Sequence, residues 1–210
     1  MAFAISSEED TIASAAKEGA IHVRNYPDLN LQNTFQMGRF EIRKIAFSQD
    51  DKDIVACDVT GLISKFSLSD GLSTELFTHP EKEPIRFVAY SPIKNEIAFI
   101  DGSGQLFVLD LDTKKMISSK NGHTDMGLCC AYSRDGQYLA TGGKDNMIIV
   151  WKKGTKKLHK LFNIAGHNGP VTSLIFEKTG NNLYSASRDR KIKYWKLNHL
   201  LLSKTRTTLN

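Results

Sequence analysis

Apolar and polar positions along this chain alternate in short bursts of four to six residues rather than in the three-to-four-residue rhythm of an amphipathic helix, and the bursts recur. The segments IAFS (45–48), VAYS (88–91), CAYS (130–133) and LIFE (174–177) end 43, 42 and 44 residues apart. Each is followed six residues later by an aliphatic residue: Ile54, Ile97, Leu139 and Leu183. Ser6 and Ile12 continue the register backwards, so five copies account for nearly all of the sequence. A fixed period of this length marks a repeat architecture.

Within a copy, three stretches read as strands, for example LCCAYS, YLATGG and MIIVW in the fourth, separated by the turn-forming RDGQ and KDN. A weaker fourth stretch precedes the next copy, as in GLSTELFTH (71–79) and TKKLHKLFNI (155–164). Four strands per period predict an up-and-down antiparallel sheet, the blade of a β-propeller. The Ala- and Glu-rich EEDTIASAAKE (8–18) favours helix locally, but Ile12, Gly19, Ile21 and Val23 keep the strand register, and strands are expected there. The predicted fold is all-β, one propeller region over 1–210 with blades near 1–38, 39–80, 81–122, 123–166 and 167–210. It opens on an inner strand and closes on an outer one, so an incomplete or open propeller is expected, completed by another segment or chain.

Composition narrows the function. With 210 residues, 40% apolar and 24% charged, the chain has enough material for a sizeable core. MAFAISSEED turns acidic too early for a signal segment, and no apolar run approaches the roughly 20 residues of a membrane span, so no membrane partner is expected. Three cysteines, two of them adjacent, form neither a disulfide framework nor a metal pair, and the six histidines lack metal-ligand spacing. No metal or cofactor is expected, and DGSGQ (101–105) reads as a strand-connecting turn rather than a phosphate loop. Charge is unevenly spread: residues 1–140 carry 14 Lys and Arg against 20 Asp and Glu, and residues 141–210 carry 14 against 3. A basic third of this kind suits acidic protein surfaces or a nucleic-acid backbone.

GHTDMGLCCAYSRDGQYLATGGKDNMIIVW (122–151) and GHNGPVTSLIFEKTGNNLYSASRDRKIKYW (166–195) resemble units of the WD-repeat (WD40) family. The resemblance implies two buried hydrogen-bonded tetrads, His123, Thr141, Asp145, Trp151 and His167, Ser185, Asp189, Trp195, structural rather than catalytic; no G-x-S-x-G elbow accompanies them. Copies two and three have Ala56, Thr60, Phe66 and Phe99, Ser103, Leu109 instead, with His79 two residues out of register, and those blades are expected to be held by packing alone. By the same resemblance the chain is a non-enzymatic scaffold docking peptide segments or acidic surfaces on its loop face. That face is expected to include Arg86, Met126, Lys144, Pro170, Arg188 and Arg190. A basic flank of Lys152, Lys153, Lys156, Lys157, Lys191 and Lys193 is expected beside it, with Lys191 and Lys193 on one face of their strand and Tyr184 and Tyr194 packed. AIHVRNYPDLNLQNTF and RFEIRKIAFSQDDKDIVA are similar to replisome-adaptor WD proteins, and DGQYLATGGKDNMIIVW and LYSASRDRKIKYW to WD proteins of small nucleolar ribonucleoproteins. Both are nuclear and nucleic-acid-associated, which points to an intracellular setting, nuclear or cytoplasmic, with the nucleus slightly favoured.

Overall fold

A computed structural model describes residues 2–119, 122–178 and 182–197. Nineteen strands are found there, grouped in five antiparallel sheets, each strand paired with its sequence neighbour. The first sheet holds β1 (Ala2–Ile5), β2 (Thr11–Ala15), β3 (Ala20–Asn25) and β4 (Leu31–Gln36). The second holds β5 (Ile42–Phe47), β6 (Asp53–Asp58), β7 (Leu62–Ser67) and β8 (Ser73–Thr78). The third holds β9 (Ile85–Tyr90), β10 (Glu96–Asp101), β11 (Leu106–Asp110) and β12 (Met116–Ser118), and the fourth β13 (Gly127–Tyr132), β14 (Tyr138–Gly143), β15 (Met147–Lys153) and β16 (Leu158–Ala165). The fifth has β17 (Val171–Phe176), β18 (Asn182–Ser187) and β19 (Ile192–Lys196); the remainder expected for its blade, 198–210, lies outside the described residues.

This is the expected all-β architecture of successive up-and-down antiparallel blades. The helix-prone 8–18 segment contains β2, because Ala13 and Ala15 are needed at buried positions facing the second sheet, and tertiary burial outweighs local propensity. The core is a series of layers between adjoining sheets. Ile21, Val23 and Phe35 meet Ile45, Ile54 and Phe66, and Val55 and Ile63 meet Val88, Ile97 and Phe99. Ala98 and Val108 meet Cys130 and Leu139, and Ala140 and Val150 meet Leu174 and Leu183. Burying each Ile or Leu stabilises by about 1.5–3 kcal/mol relative to exposure. Inner strands β1, β5, β9, β13 and β17 border one axial cavity of about 550 Å³, to which they contribute Ala4, Lys44, Phe87, Cys130 and Leu174.

Two irregularities recur. In four of the sheets the inner strand skips one residue of register near its start, at Arg43, Arg86, Leu128 and Thr172. A bulge of this kind re-aims the skipped side chain. The turn between the second and third strands of each blade ends in a left-handed residue: Gly61 and Gly104 in the second and third blades, then Asn146 and Arg190 with φ of 67° and 65°.

Among the described residues, the fifth sheet leaves one face uncovered. Ile175, Tyr184 and Tyr194 lie in one cross-strand row, and Ala186 pairs Ile192 in the next. Ile175 is 64% exposed, Tyr184 39%, Ile192 78% and Tyr194 44%. At the same register positions one blade earlier, Ala140, Ile148 and Val150 are fully buried under the fifth sheet. The expectation that Tyr184 and Tyr194 are packed is therefore corrected: their rings lean on each other at 5.0 Å but face outward, because no further sheet follows among the described residues.

Candidate functional site

The face to which the blade-to-blade loops and the second-to-third strand turns contribute is shaped by the hydrogen-bond chains beneath it. In the fourth blade, Trp151 Nε1 donates to Thr141 Oγ1 at 3.0 Å, and the Thr141 hydroxyl donates to His123 Nε2 at 2.9 Å. His123 Nδ1–H then donates to Asp145 at 2.9 Å. An indole can only donate and a carboxylate only accept. Burial favours the neutral imidazole, whose proton then lies on Nδ1, toward Asp145. In the fifth blade Trp195, Ser185, His167 and Asp189 repeat the chain at 2.8, 2.7 and 2.8 Å.

Each aspartate also fixes the surface loops. Asp145 accepts from the backbone N–H of Thr124 and Met147, and Asp189 from those of Asn168 and Lys191. Burial holds His123 below its ordinary pKa, opposed in part by the Asp145 charge. Asp145 is pushed up by burial, but His123 and the two amides outweigh this and leave it below the usual carboxylate range. Asp189 is lowered in the same way, by His167 and its own two amides.

These sets do not make a nucleophile. Thr141 and Ser185 are buried, and each hydroxyl oxygen already receives a Trp N–H while giving its proton to histidine. The three cysteines are buried as well; burial pushes Cys129 up to about 12 and also raises Cys57 and Cys130. Thiolates are therefore scarce at neutral pH. In the axial cavity Lys44 sits 4.7 Å above the Phe87 ring, and burial lowers its pKa. Among the described residues no group of three or more His, Cys, Asp or Glu side chains is arranged to hold a metal ion. No helix there is long and apolar enough to cross a membrane.

The third blade departs from the expectation of packing alone. His79 Nε2 lies 3.5 Å from Asp101 Oδ2, while its Nδ1 accepts from the backbone N–H of Glu81 and Glu83. Asp101, buried, also takes Ser103 Oγ and the Gln105 N–H, tying the turn together. Asp58 does the same for Thr60 and Leu62 in the second blade. His79 also takes the place of the tetrad histidines: its N–H bonds Gly61 O as that of His123 bonds Gly104 O. The clue in the sequence is the His-to-Asp separation of 22 residues, the same in all three blades. Counting from the strand ends conceals it.

Of the expected face residues, Arg86 Nη2 reaches Met126 Sδ at 3.5 Å, and Lys144 pairs with Asp125 at 3.5 Å. Pro170 O accepts the Arg188 N–H at 2.9 Å, and the Arg188 and Arg190 side chains are exposed. Sequence reasoning missed Arg43, the counterpart of Arg86 one blade earlier; its place on a bulge is not visible in a strand pattern.

The expected basic flank is divided. Lys152, Lys156, Lys157 and Lys191 are exposed. Lys153 is withdrawn from it, paired with the buried Glu96, which also accepts from the Tyr132 hydroxyl. Lys193 turns toward the fourth blade, where its ammonium donates to Gly166 O and lies 5.9 Å from the Trp195 ring. The open flank itself presents Ile192 and Tyr194, not lysines, because alternation sends Lys193 to the other side.

Comparison with known proteins agrees with this anatomy. The model of the WD domain, G-beta repeat, matches residues 114–152 and 157–196. The chain is 27% identical over 116 residues to Echinoderm microtubule-associated protein-like 2 of Rattus norvegicus, covering 54% of this chain and 18% of that protein. It is 36% identical over 81 residues to Ribosomal RNA-processing protein 9 of Saccharomyces cerevisiae, covering 39% of this chain and 14% of that protein. With Periodic tryptophan protein 2 of Arabidopsis thaliana it shares 27% over 180 residues, 80% of this chain and 20% of that protein. The chain thus spans a fifth or less of these relatives' lengths.

Proposed function

Since this chain belongs to the WD-repeat family, we propose that it is a non-enzymatic protein-interaction scaffold that docks partner segments on its loop face. The observation that carries the reading is the coupling of that face to the blade interior: loop amides of Thr124, Met147, Asn168 and Lys191 are anchored on Asp145 and Asp189. Side chains such as Lys144, Arg188 and Arg190 therefore project from a preorganised surface, which lowers the ordering cost of binding. Burial of every thiol and both tetrad hydroxyls supports a role without catalysis. The test is a photo-crosslinking residue placed at Lys144, on the loop face, or at Lys115, in the β11–β12 turn at the other end of the blade. Partner adducts are expected from position 144, and adducts from position 115 alone refute the reading.

A second reading has its own support. Lys152, Lys156, Lys157 and Lys191 are exposed in the part of the chain with 14 basic against 3 acidic residues, and one relative is named for ribosomal RNA processing. On this reading the chain works inside an intracellular, nuclear, nucleic-acid-associated complex, its basic blades touching phosphate backbone. Retention of RNA that falls steeply with salt, and falls further in Lys156→Gln/Lys157→Gln, is the expected signature.

A further inference from the structure

Two arginines occupy corresponding positions on neighbouring inner strands. Arg43 on β5 and Arg86 on β9 are each the residue skipped by the bulge, at the end of the strand nearest the loop face. Their guanidinium groups are under-supplied with acceptors. Arg43 Nη1 donates to Glu41 Oε1 at 3.2 Å, and the one hydrogen bond of Arg86 runs to the Met126 thioether at 3.5 Å. The Nε atoms of both are buried and have no hydrogen-bond partner among the described residues. A guanidinium carries five donors, thioether sulfur is a weak acceptor, and buried donors in folded proteins are almost always paired. Two arginines on neighbouring inner strands, each with a buried Nε that has no acceptor among the described residues, have the form of a receptor without its anion. Their proximity is felt: burial and the Arg43 charge both lower the pKa of Arg86.

Resting on the scaffold reading, we propose that Arg43 and Arg86 together receive a carboxylate side chain of an acidic segment in a partner protein. The carboxylate takes the place of Met126 Sδ on Arg86. A planar carboxylate matches the guanidinium fork with two parallel bonds. Glu41 and Glu83 both act on Arg86 and repel a doubly charged phosphate more than a singly charged carboxylate. Arg43 is about one-third exposed along its side chain and Arg86 is half-buried, so neither is sealed from solvent.

The experiment is an NMR titration of the intact chain, reading the arginine Nε–Hε resonances assigned with Arg43→Lys and Arg86→Lys. The probes are acetylated, amidated hexaglutamate, the corresponding hexaglutamine, and inorganic phosphate. Hexaglutamate is expected to shift both resonances saturably and hexaglutamine to leave them in place. Arg86→Lys, which keeps the charge but loses the fork, is expected to weaken binding about tenfold. Lys156→Gln/Lys157→Gln, away from the loop face, is expected to change it less than about twofold, as a screened rim charge does. Absence of shifts, hexaglutamate affinity unaltered in Arg86→Lys, or saturation by phosphate below the peptide concentration overturns the proposal. If crosslinks from position 144 persist while the arginine resonances stay still, the carboxylate pocket fails and the scaffold reading stands.

Discussion

The third and fourth blades solve the same mechanical problem with different materials. In the fourth, a polar chain runs from the Trp151 indole to Asp145 through one threonine and one neutral histidine. In the third, Phe99 and Phe107 stack at 5.0 Å with Phe77 tilted against Phe99, and His79 stands edge-on to Phe77 and Phe107. His79 keeps a carboxylate neighbour but turns over: Nε2 faces Asp101 and Nδ1 accepts from the backbone. A sequence can thus lose the WD signature and keep the blade, provided apolar volume fills the place of the tetrad and an aspartate still gathers the turn.

The largest effect that tests this contrast is Phe99→Ala. It removes a fully buried ring at the centre of the aromatic cluster and is expected to cost about 3–5 kcal/mol in urea unfolding. Thr141→Val, at the same position one blade on, preserves shape but strands both the Trp151 N–H and the His123 ring nitrogen; about 2–3 kcal/mol is expected. A cost below about 0.5 kcal/mol would mean that the fourth blade is also held by packing and the contrast is false. Asp101→Asn, which keeps an acceptor but loses the charge, is expected to cost about 1–2 kcal/mol.

Acid sharpens the comparison further. His123 is held below its ordinary value of 6.5, so the unfolded chain takes up that proton first and stability declines as pH drops below about 6.5. Asp145 lies below 3.8, and its contribution is present above that value and lost as pH falls through the folded pKa. Melts of His123→Gln are expected to lose the slope that begins at about pH 6.5 and to keep only a reduced acid limb, because the two loop amides alone then hold Asp145 down. The smallest effect is at the turn: Arg190→Gly relieves a left-handed arginine where the third blade uses Gly104, and a gain of about 0.5–1 kcal/mol is expected in the same melts.

Much of the fold was legible because its period is written in apolar positions: Ile54, Ile97, Leu139 and Leu183 are all fully buried. The site was less so. His79 went unrecognised because the signature was counted from strand ends rather than from His to Asp. Within the lysine flank, Lys153 pairs with the buried Glu96 and Lys193 turns toward the fourth blade, which a run of basic letters does not reveal. Arg43 was hidden because a bulge breaks the two-residue alternation that strand reading depends on.

The outer face of the fifth sheet, uncovered among the described residues, bears on how this polypeptide behaves at the bench. Ile175, Tyr184, Ile192 and Tyr194 form a sticky plane, and two such planes meeting will hold each other. Light scattering from this chain should therefore rise faster than linearly with protein concentration. Ile192→Lys should restore linearity without lowering the melting temperature, whereas the same exchange at Ile148 should prevent folding.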